Sequence, residues 1–85
     1  SGNSMNFENM MEALEINAKR FGLVKHIIHD DVHNFNIHHG ISKNFSQFLA
    51  TVHQKLADDL SYKFEINNLD KNMVCMHFSE SKLNS

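Results

Sequence analysis

Seven histidines and one cysteine are the residues of this 85-residue chain whose chemistry could carry a function. Were residues 23–37 helical, His26, His29 and His33 would share one face at i, i+3 and i+7, and neutral imidazoles placed in this way can bind zinc, nickel or copper. If the same residues form strands, the three imidazoles disperse over a sheet face and a turn. They are the metal candidates of the sequence, although we expect neither a metal nor a cofactor.

Cys75 and His77 form the second group with chemical potential. On a strand, residues two apart lie on the same face, and a thiol beside an imidazole could act as a nucleophile. Glu65 is the one acid available to orient that imidazole, and a flat sheet face offers no pocket. A cysteine more often packs as a small apolar residue. The sequence therefore predicts no catalytic residue and no enzyme.

The composition excludes several classes of partner and structure. Eight basic against ten acidic residues give a formal charge of −2, without the basic surface that phosphate backbones require, so we expect no nucleic-acid partner. Protonation of all seven histidines would move this charge to +5, which makes a pH-dependent interface a hypothesis. A single cysteine forms no internal disulfide. A chain this short buries roughly 60% of its unfolded surface, enough for one thin core.

The two ends differ in composition from the rest of the chain. Ser1-Gly2-Asn3-Ser4 resembles the remnant of a purification tag, residues 5–79 form the predicted single domain, and residues 80–85 form a predicted flexible tail. No apolar run approaches the roughly 20 residues that cross a bilayer.

Two segments have helical periodicity. The first begins after Asn6 as N-cap and stops at Gly22, and the second begins after Asn44, with Gln47 completing a capping box. Each segment precedes two runs of alternating apolar residues. The residues that we expect in the core are Phe7, Met11, Leu14, Ala18, Phe21, Ile27, Phe35, Ile37, Phe45, Leu49, Val52, Leu56, Leu60, Phe64, Ile66, Val74 and Met76.

The alternating runs predict two hairpins. In the first, the strands carrying Ile27 and Ile37 flank a polar turn at residues 29–33; a second helix over residues 23–37 is the alternative, because the apolar residues there also suit a period of 3.6. In the second hairpin, Tyr62, Phe64 and Ile66 alternate on one strand, and the turn covers residues 67–72.

The order αββαββ predicts an α+β fold in which two αββ units form a four-stranded antiparallel sheet with two helices on one face. This is a circular permutation of the ferredoxin-like fold. The two halves align at an offset of 38 or 39 residues, which is consistent with a duplication. The other face of the sheet stays open to water and is expected to carry His26, Asn34, Asn36, His38, Lys63, Glu65, Cys75 and His77.

The segment Ala18-Lys19-Arg20-Phe21-Gly22-Leu23 resembles the "Ala-x-x-x-Gly-Leu" helix end that precedes the first hairpin in the periplasmic domains of GspM- and PilO-type assembly-platform proteins. Phe45, Phe48 and Leu49 are similar to the opening of that family's second helix, and the likeness covers about residues 7–78. The C-terminal domain of GspL shares the same permuted fold. Where the family commonly has a glycine after the second helix, this chain has Asp58-Asp59-Leu60-Ser61.

The resemblance implies a structural, non-catalytic interaction domain of a type II secretion or type IV pilus platform. It implies homodimers, contacts with a GspL-like sister protein, a membrane anchor upstream of this segment, and a position on the periplasmic face of the inner membrane. Two other functions stay open: a small cytosolic regulator or inhibitor that starts at Met5, and a metal-responsive module that uses the histidines.

Overall fold

Two helix-strand-strand units follow one another along residues 6–80, the part of the chain that the computed structural model describes. The elements are α1 (Phe7–Ala18), β1 (Leu23–His29), β2 (Val32–His38), α2 (Lys43–Leu60), β3 (Tyr62–Leu69) and β4 (Met73–Glu80). The predicted α+β class and the order αββαββ are confirmed. The tag remnant and residues 81–85 of the predicted tail lie outside the described residues, whereas Glu80 is the last residue of β4.

The four strands form one antiparallel sheet in the order β1-β2-β4-β3. Each hairpin contributes one central and one edge strand, and the central strands β2 and β4 join the two units. This order and these directions are those of a ferredoxin-like sheet after circular permutation. α1 packs on β1 and β2, and α2 packs on β3 and β4, so both helices cover the same face.

α1 begins after Asn6, as the sequence predicts, and ends earlier than the predicted stop at Gly22. The side chain of Asn6 accepts a hydrogen bond from the backbone N–H of Asn9, which caps the helix. The predicted stripe of Phe7, Met11, Leu14 and Ala18 is buried. Because Ala18 is the last helical residue, Phe21 lies beyond the stripe and is largely exposed, which corrects its assignment to the core.

Gly22 does not end α1, since Lys19 is the C-cap. Its role is to let two backbones approach closely. A Cβ at position 22 would clash with the carbonyl group of His38, at the point where β1 starts beside the end of β2. Glycine is therefore required here by the packing of the first hairpin.

The first hairpin has a tighter turn than expected. Residues 23–37 form strands, as predicted, and the helical alternative is wrong. However, the turn contains two residues, Asp30 and Asp31, with φ angles of 51° and 66°, which define a type I′ turn. This places His26 opposite Phe35 and Ile27 opposite Asn34.

A turn covering residues 29–33 would shift this register by one residue, and such a shift moves every side chain to the other face. With the observed register, His26 points to the helix-covered face, and Ile27 lies largely exposed on the open face. The predictions that Ile27 is a core residue and that His26 lies on the open face are both corrected. Asn34, Asn36 and His38 keep their predicted face.

α2 packs with a face that differs from its apolar stripe. Its N-cap is Ser42, whose hydroxyl accepts from the N–H of Phe45, so the expected cap at Asn44 is wrong. Its buried residues are Ser46, Leu49, Ala50 and Ala57. Of the other predicted core residues, Phe45 and Leu56 are half-buried, while Val52 and Leu60 are exposed.

Small side chains explain why α2 presents this face to the sheet and not its stripe of large apolar residues. Ser46, Ala50 and Ala57 are spaced by four and seven residues and lie on one face of the helix. Their size allows α2 to approach the sheet closely, which turns Val52 and Leu60 outward.

The second hairpin has longer strands than expected. β3 continues to Leu69, past a bulge between Ile66 and Asn68, and the turn contains residues 70–72. Asp70 closes this turn, since its Oδ1 accepts from the N–H groups of Asn72 and Met73. Ile66 is an edge residue and partly exposed, contrary to its assignment to the core.

The centre of the core lies between the sheet and the helices. It contains Phe35, Ile37, Val74, Met76 and Phe78, which belong to the two central strands and are nearly inaccessible to solvent. Phe64, from the edge strand β3, is half-buried against them. Phe35, Ile37, Val74 and Met76 are thus core residues, as predicted, and Phe78 is an additional core residue.

Ser61 ends α2 in an unfavourable conformation, with a φ of 62° in the left-handed region. A residue with a Cβ loses about 1 kcal/mol there, and glycine is the preferred residue at such helix ends. We expect Ser61→Gly to raise the free energy of unfolding by about 0.5–1 kcal/mol. Urea denaturation followed by circular dichroism measures this change.

Gly40 provides the matched control for this prediction. It has a φ of 64°, and a Cβ at this position would contact no other atom, so Gly40→Ala tests the backbone conformation alone. We expect it to lower the stability by about 1 kcal/mol. A loss of stability in Ser61→Gly would contradict our account of this helix end.

Candidate functional site

Two carboxylates and two imidazoles form a continuous chain between α1 and the first hairpin. Glu15 Oε1 lies 2.8 Å from His26 Nδ1, and His26 Nε2 lies 2.8 Å from His33 Nδ1. At the far end, His33 Nε2 is 3.6 Å from Oε1 of Glu8. Because Glu8 and Glu15 are seven residues apart, they project from the same side of α1. We call these four residues the imidazole chain.

The hydrogen-bond partners determine where the protons lie. Glu15 as a carboxylate can only accept, so His26 Nδ1 carries a proton. In neutral His26 the Nε2 atom then accepts, and the donor must be His33 Nδ1–H. Neutral His33 consequently turns an unprotonated Nε2 towards Glu8, which agrees with the longer distance there. With both rings neutral, the direction of donation is from His33 to His26 to Glu15.

Packing supports this arrangement. The His26 ring stacks on Phe35, with ring centroids 4.1 Å apart, and Phe7 meets His33 edge to face. Burial lowers the pKa of His33, and the nearby carboxylate of Glu8 opposes this shift in part. The hydrogen bond from His26 lowers the pKa of Glu15. The imidazole chain therefore fastens α1 to the sheet.

The metal candidates of the sequence do not converge. His26 and His33 are neighbours, but each uses both ring nitrogens towards different partners, in a line rather than around a point. His29 lies on the opposite face of β1, beside Asp30. Within residues 6–80, no group of three or more His, Cys, Asp or Glu side chains has the geometry to hold a metal ion.

His39 and Ser46 resemble a catalytic pair at first sight, because His39 Nε2 lies 2.6 Å from the Ser46 hydroxyl. However, His39 Nδ1 accepts from the N–H of Ile41, so the proton of the neutral ring is on Nε2. The ring donates to Ser46, and the hydroxyl donates to the carbonyl of Asp70 at 2.6 Å. A donor cannot act as the general base for Ser46. The pair connects α2 to the second turn.

Cys75 and His77 share the open face, as predicted. Cys75 lies opposite Asn36 and Asn68, and His77 lies opposite Glu65. Burial raises the pKa of the Cys75 thiol, which disfavours the nucleophilic thiolate. The arrangement fits a packed cysteine better than an activated one.

His53 is a half-buried residue that the sequence pattern does not identify. It lies on α2, where its Nδ1–H donates to the carbonyl of Leu49 and its ring meets Phe78 edge to face. Burial lowers its pKa. The spacing from Ser46 and Ala50 to His53 and Ala57 would have identified this face, had small residues been counted as core residues together with the large ones.

Apolar side chains at the surface form two groups. One belongs to the edge strand β1 and contains Leu23, Ile27 and Ile28. The other, which we call the aromatic ridge, contains Phe21, Phe45, Phe48 and Val52; its rings lie 5.5 Å (Phe21 to Phe45) and 6.1 Å (Phe45 to Phe48) apart. These two surfaces are candidates for binding a partner.

Comparison of this chain with models of protein families, with curated proteins and with solved structures finds no match. Neither α1 nor α2, the two helices of residues 6–80, combines the length and hydrophobicity of a membrane-spanning helix.

Three histidines that are buried or half-buried predict how stability depends on pH. Burial lowers the pKa values of His33, His39 and His53, so the unfolded chain binds protons more strongly than the folded chain once the pH falls below about 6.5. Stability should be constant above that pH and decline as the pH falls towards 5.5. Urea midpoints at pH 7.5, 6.5 and 5.5 measure this decline.

The lowered pKa values of Glu15 and Asp70 do not affect the expected decline between pH 7.5 and 5.5. The pKa values of Glu15 and Asp70 are lowered by hydrogen bonds, so their contribution is lost at more acidic pH, below their usual range near 4. His53→Gln should make the decline shallower, whereas His29→Gln, at an exposed position, should leave it unchanged. A midpoint that rises between pH 7.5 and 5.5 would contradict the prediction.

The hydrogen bonds of Ser46 predict that its substitution destabilises the protein. Ser46→Ala removes the hydroxyl that joins His39 to Asp70 and leaves the His39 N–H without its partner. We expect the free energy of unfolding to fall by about 1–3 kcal/mol. Thr51→Ala, at an exposed position of the same helix, should change it by less than about 0.5 kcal/mol. Equal effects of the two substitutions would exclude the proposed connection.

Proposed function

We propose that this chain is a non-catalytic protein-interaction domain, and that it belongs to the inner-membrane assembly platform of a type II secretion or type IV pilus system. The proposal combines the exposed apolar surface with the resemblance of the helix end at Ala18–Leu23. The observed strand order supports it as far as the fold, which is the permuted ferredoxin-like arrangement that the resemblance implies.

The observation that carries the interaction function is the amount of exposed apolar side chain. Ten large apolar residues of the described chain are between 38% and 78% exposed. Single exposed apolar residues are common, but contiguous apolar patches on a small protein usually mark an interaction site. Six of the ten belong to the edge strand β1 or to the aromatic ridge, which are the two surfaces that we propose for partners.

The state of the titratable groups supports a non-catalytic function. Both ring nitrogens of His26 and of His39, and Nδ1 of His33, are hydrogen-bonded to other protein groups, while Nε2 of His33 lies 3.6 Å from Oε1 of Glu8. A general base needs a free lone pair near a substrate. These histidines instead join helices to the sheet, which is a structural role.

In this proposal the partners are a second copy of the chain and a GspL-like sister protein. The full-length protein would be anchored by a segment upstream of this one, with the domain on the periplasmic face of the inner membrane. The two surfaces allow a domain to contact itself and a different protein at the same time, as a platform requires.

Light scattering coupled to size-exclusion chromatography tests the proposal. We expect the chain to form a concentration-dependent dimer, and to form a larger complex with the periplasmic domain of a GspL-like protein. A ferredoxin-like domain of similar size that is unrelated to secretion serves as the control and should not bind. A strict monomer that also binds no platform protein would contradict the proposed function.

A further inference from the structure

The two edges of the sheet differ in their protection against pairing with another chain. The edge strand β3 contains a bulge between Ile66 and Asn68, carries Lys63 and Glu65 on the open face, and packs against α2. Bulges and charged side chains are common means of preventing edge-to-edge pairing. β1 pairs with β2 along its seven residues without a bulge, and Lys25 is its one Lys, Arg, Asp or Glu residue. With one charged residue and no bulge, β1 is the less protected edge, which we call the unprotected edge.

The backbone of β1 offers regular hydrogen-bonding groups at this edge. In a hairpin with a two-residue turn, the residues that flank the turn form a hydrogen-bonded pair, which here is His29 with Val32. The alternation of an antiparallel ladder then directs the N–H and C=O groups of Val24, His26 and Ile28 away from β2. Because β1 has no strand on that side within residues 6–80, these groups can bind a further strand.

The side chains of β1 make the edge apolar on both faces of the sheet. Ile28 lies on the helix-covered face but is 58% exposed. Ile27 and Leu23 are exposed on the open face. A second strand of the same composition would cover apolar side chains on both faces.

We propose that two copies of this chain pair through β1 to form one continuous eight-stranded antiparallel sheet. The two-fold axis is perpendicular to the sheet and passes beside His26. This inference rests on the proposed interaction function and specifies one of its partners and surfaces.

The register follows from the backbone and the side chains together. Centred on His26, the pairing sets Val24 against the partner's Ile28, His26 against the partner's His26, and Ile28 against the partner's Val24. All three pairs consist of residues whose backbone groups point outward, so each can exchange two hydrogen bonds.

The neighbouring registers are less favourable. A ladder centred on Lys25 sets this lysine against the partner's Lys25, and like charges directly opposite each other are destabilising. A ladder centred on Ile27 leaves two hydrogen-bonded pairs instead of three, because Val24 then lies beyond the last pair. In the register centred on His26, Lys25 lies opposite the partner's Ile27, over which its aliphatic stem can pack.

The same geometry indicates a reversible dimer. Two seven-residue strands bury less than the roughly 800 Å² per partner of a standard interface. In addition, Glu8, Glu12 and Glu15 line the side of α1 beside Ile28, and their charges would approach those of the partner across the axis. We therefore expect a dissociation constant of about 1–100 µM.

Matched lysine substitutions at the two edges test the surface. Ile28→Lys places a charge on the β1 edge, and Ile66→Lys places one at the equivalent position on the β3 edge, where the isoleucine is 45% exposed and also lies on the helix-covered face. We expect Ile28→Lys to weaken dimerisation at least tenfold in analytical ultracentrifugation, and Ile66→Lys to change it less than twofold. Circular dichroism verifies that both variants are folded.

Amide hydrogen exchange provides a second readout of the same edge. The amides of Val24, His26 and Ile28 should exchange slowly at about 500 µM protein and rapidly at about 0.1 µM, on either side of the expected range of the dissociation constant. The amides of Lys25 and Ile27, which point to β2, should be protected at both concentrations.

Cysteine cross-linking tests the register. In a Cys75→Ala background, Lys25→Cys and Ile27→Cys should each form no disulfide-linked dimer under oxidation, while an equimolar mixture of the two variants should form a disulfide-linked heterodimer. The mixture joins directly opposed positions, whose separation suits a disulfide.

Several results would overturn the inference. A disulfide within Lys25→Cys alone or Ile27→Cys alone would exclude the register centred on His26. Dimerisation that is insensitive to Ile28→Lys, or a chain that stays monomeric at 500 µM, would exclude pairing through β1. In the last case, continued binding of a GspL-like domain would show that the proposed interaction function survives without this dimer.

Discussion

The two-residue turn at Asp30 and Asp31 determines the arrangement of the first half of the molecule. Both residues have positive φ angles, which cost aspartate little and match the right-handed twist of the flanking strands. The turn sets the register of β1 against β2, and that register selects which side chains of β1 face the helices. With one more residue in the turn, Ile27 would be buried and His26 would face water.

Because His26 faces the helices, α1 is attached by polar as well as apolar contacts. A histidine beneath a helix must satisfy both ring nitrogens, and Glu15 and His33 do so from opposite sides. The same register turns Ile27 towards the open face at the edge of the sheet. The buried imidazole chain and the exposed Ile27 are thus two consequences of one turn, and neither is formed in the alternative register.

The sequence predicts the elements of this fold better than it predicts which side chains face the core. The stripe of α1 and the central strands follow the apolar pattern because large side chains fill the space there, as Met11 and Met76 do. In α2 the pattern is misleading, since Ser46, Ala50 and Ala57 approach the sheet while Val52 turns outward. The imidazole chain depends on the length of the first turn, and apolar alternation alone does not distinguish a turn of two residues from one of five.

A sheet with a single unprotected edge can associate in one limited way. If both edges could pair, each added molecule would offer a new edge, and assembly would continue as an open fibre. Here the bulge and charges of β3 oppose pairing on one side. On the other side, Asp30 and Asp31 adopt a left-handed backbone conformation that ends β1 and limits the pairing of this edge to its seven residues. Pairing through β1 consumes the unprotected edge of both copies, so the assembly closes at two. An exposed strand that would otherwise promote aggregation can in this way serve as a specific and reversible interface.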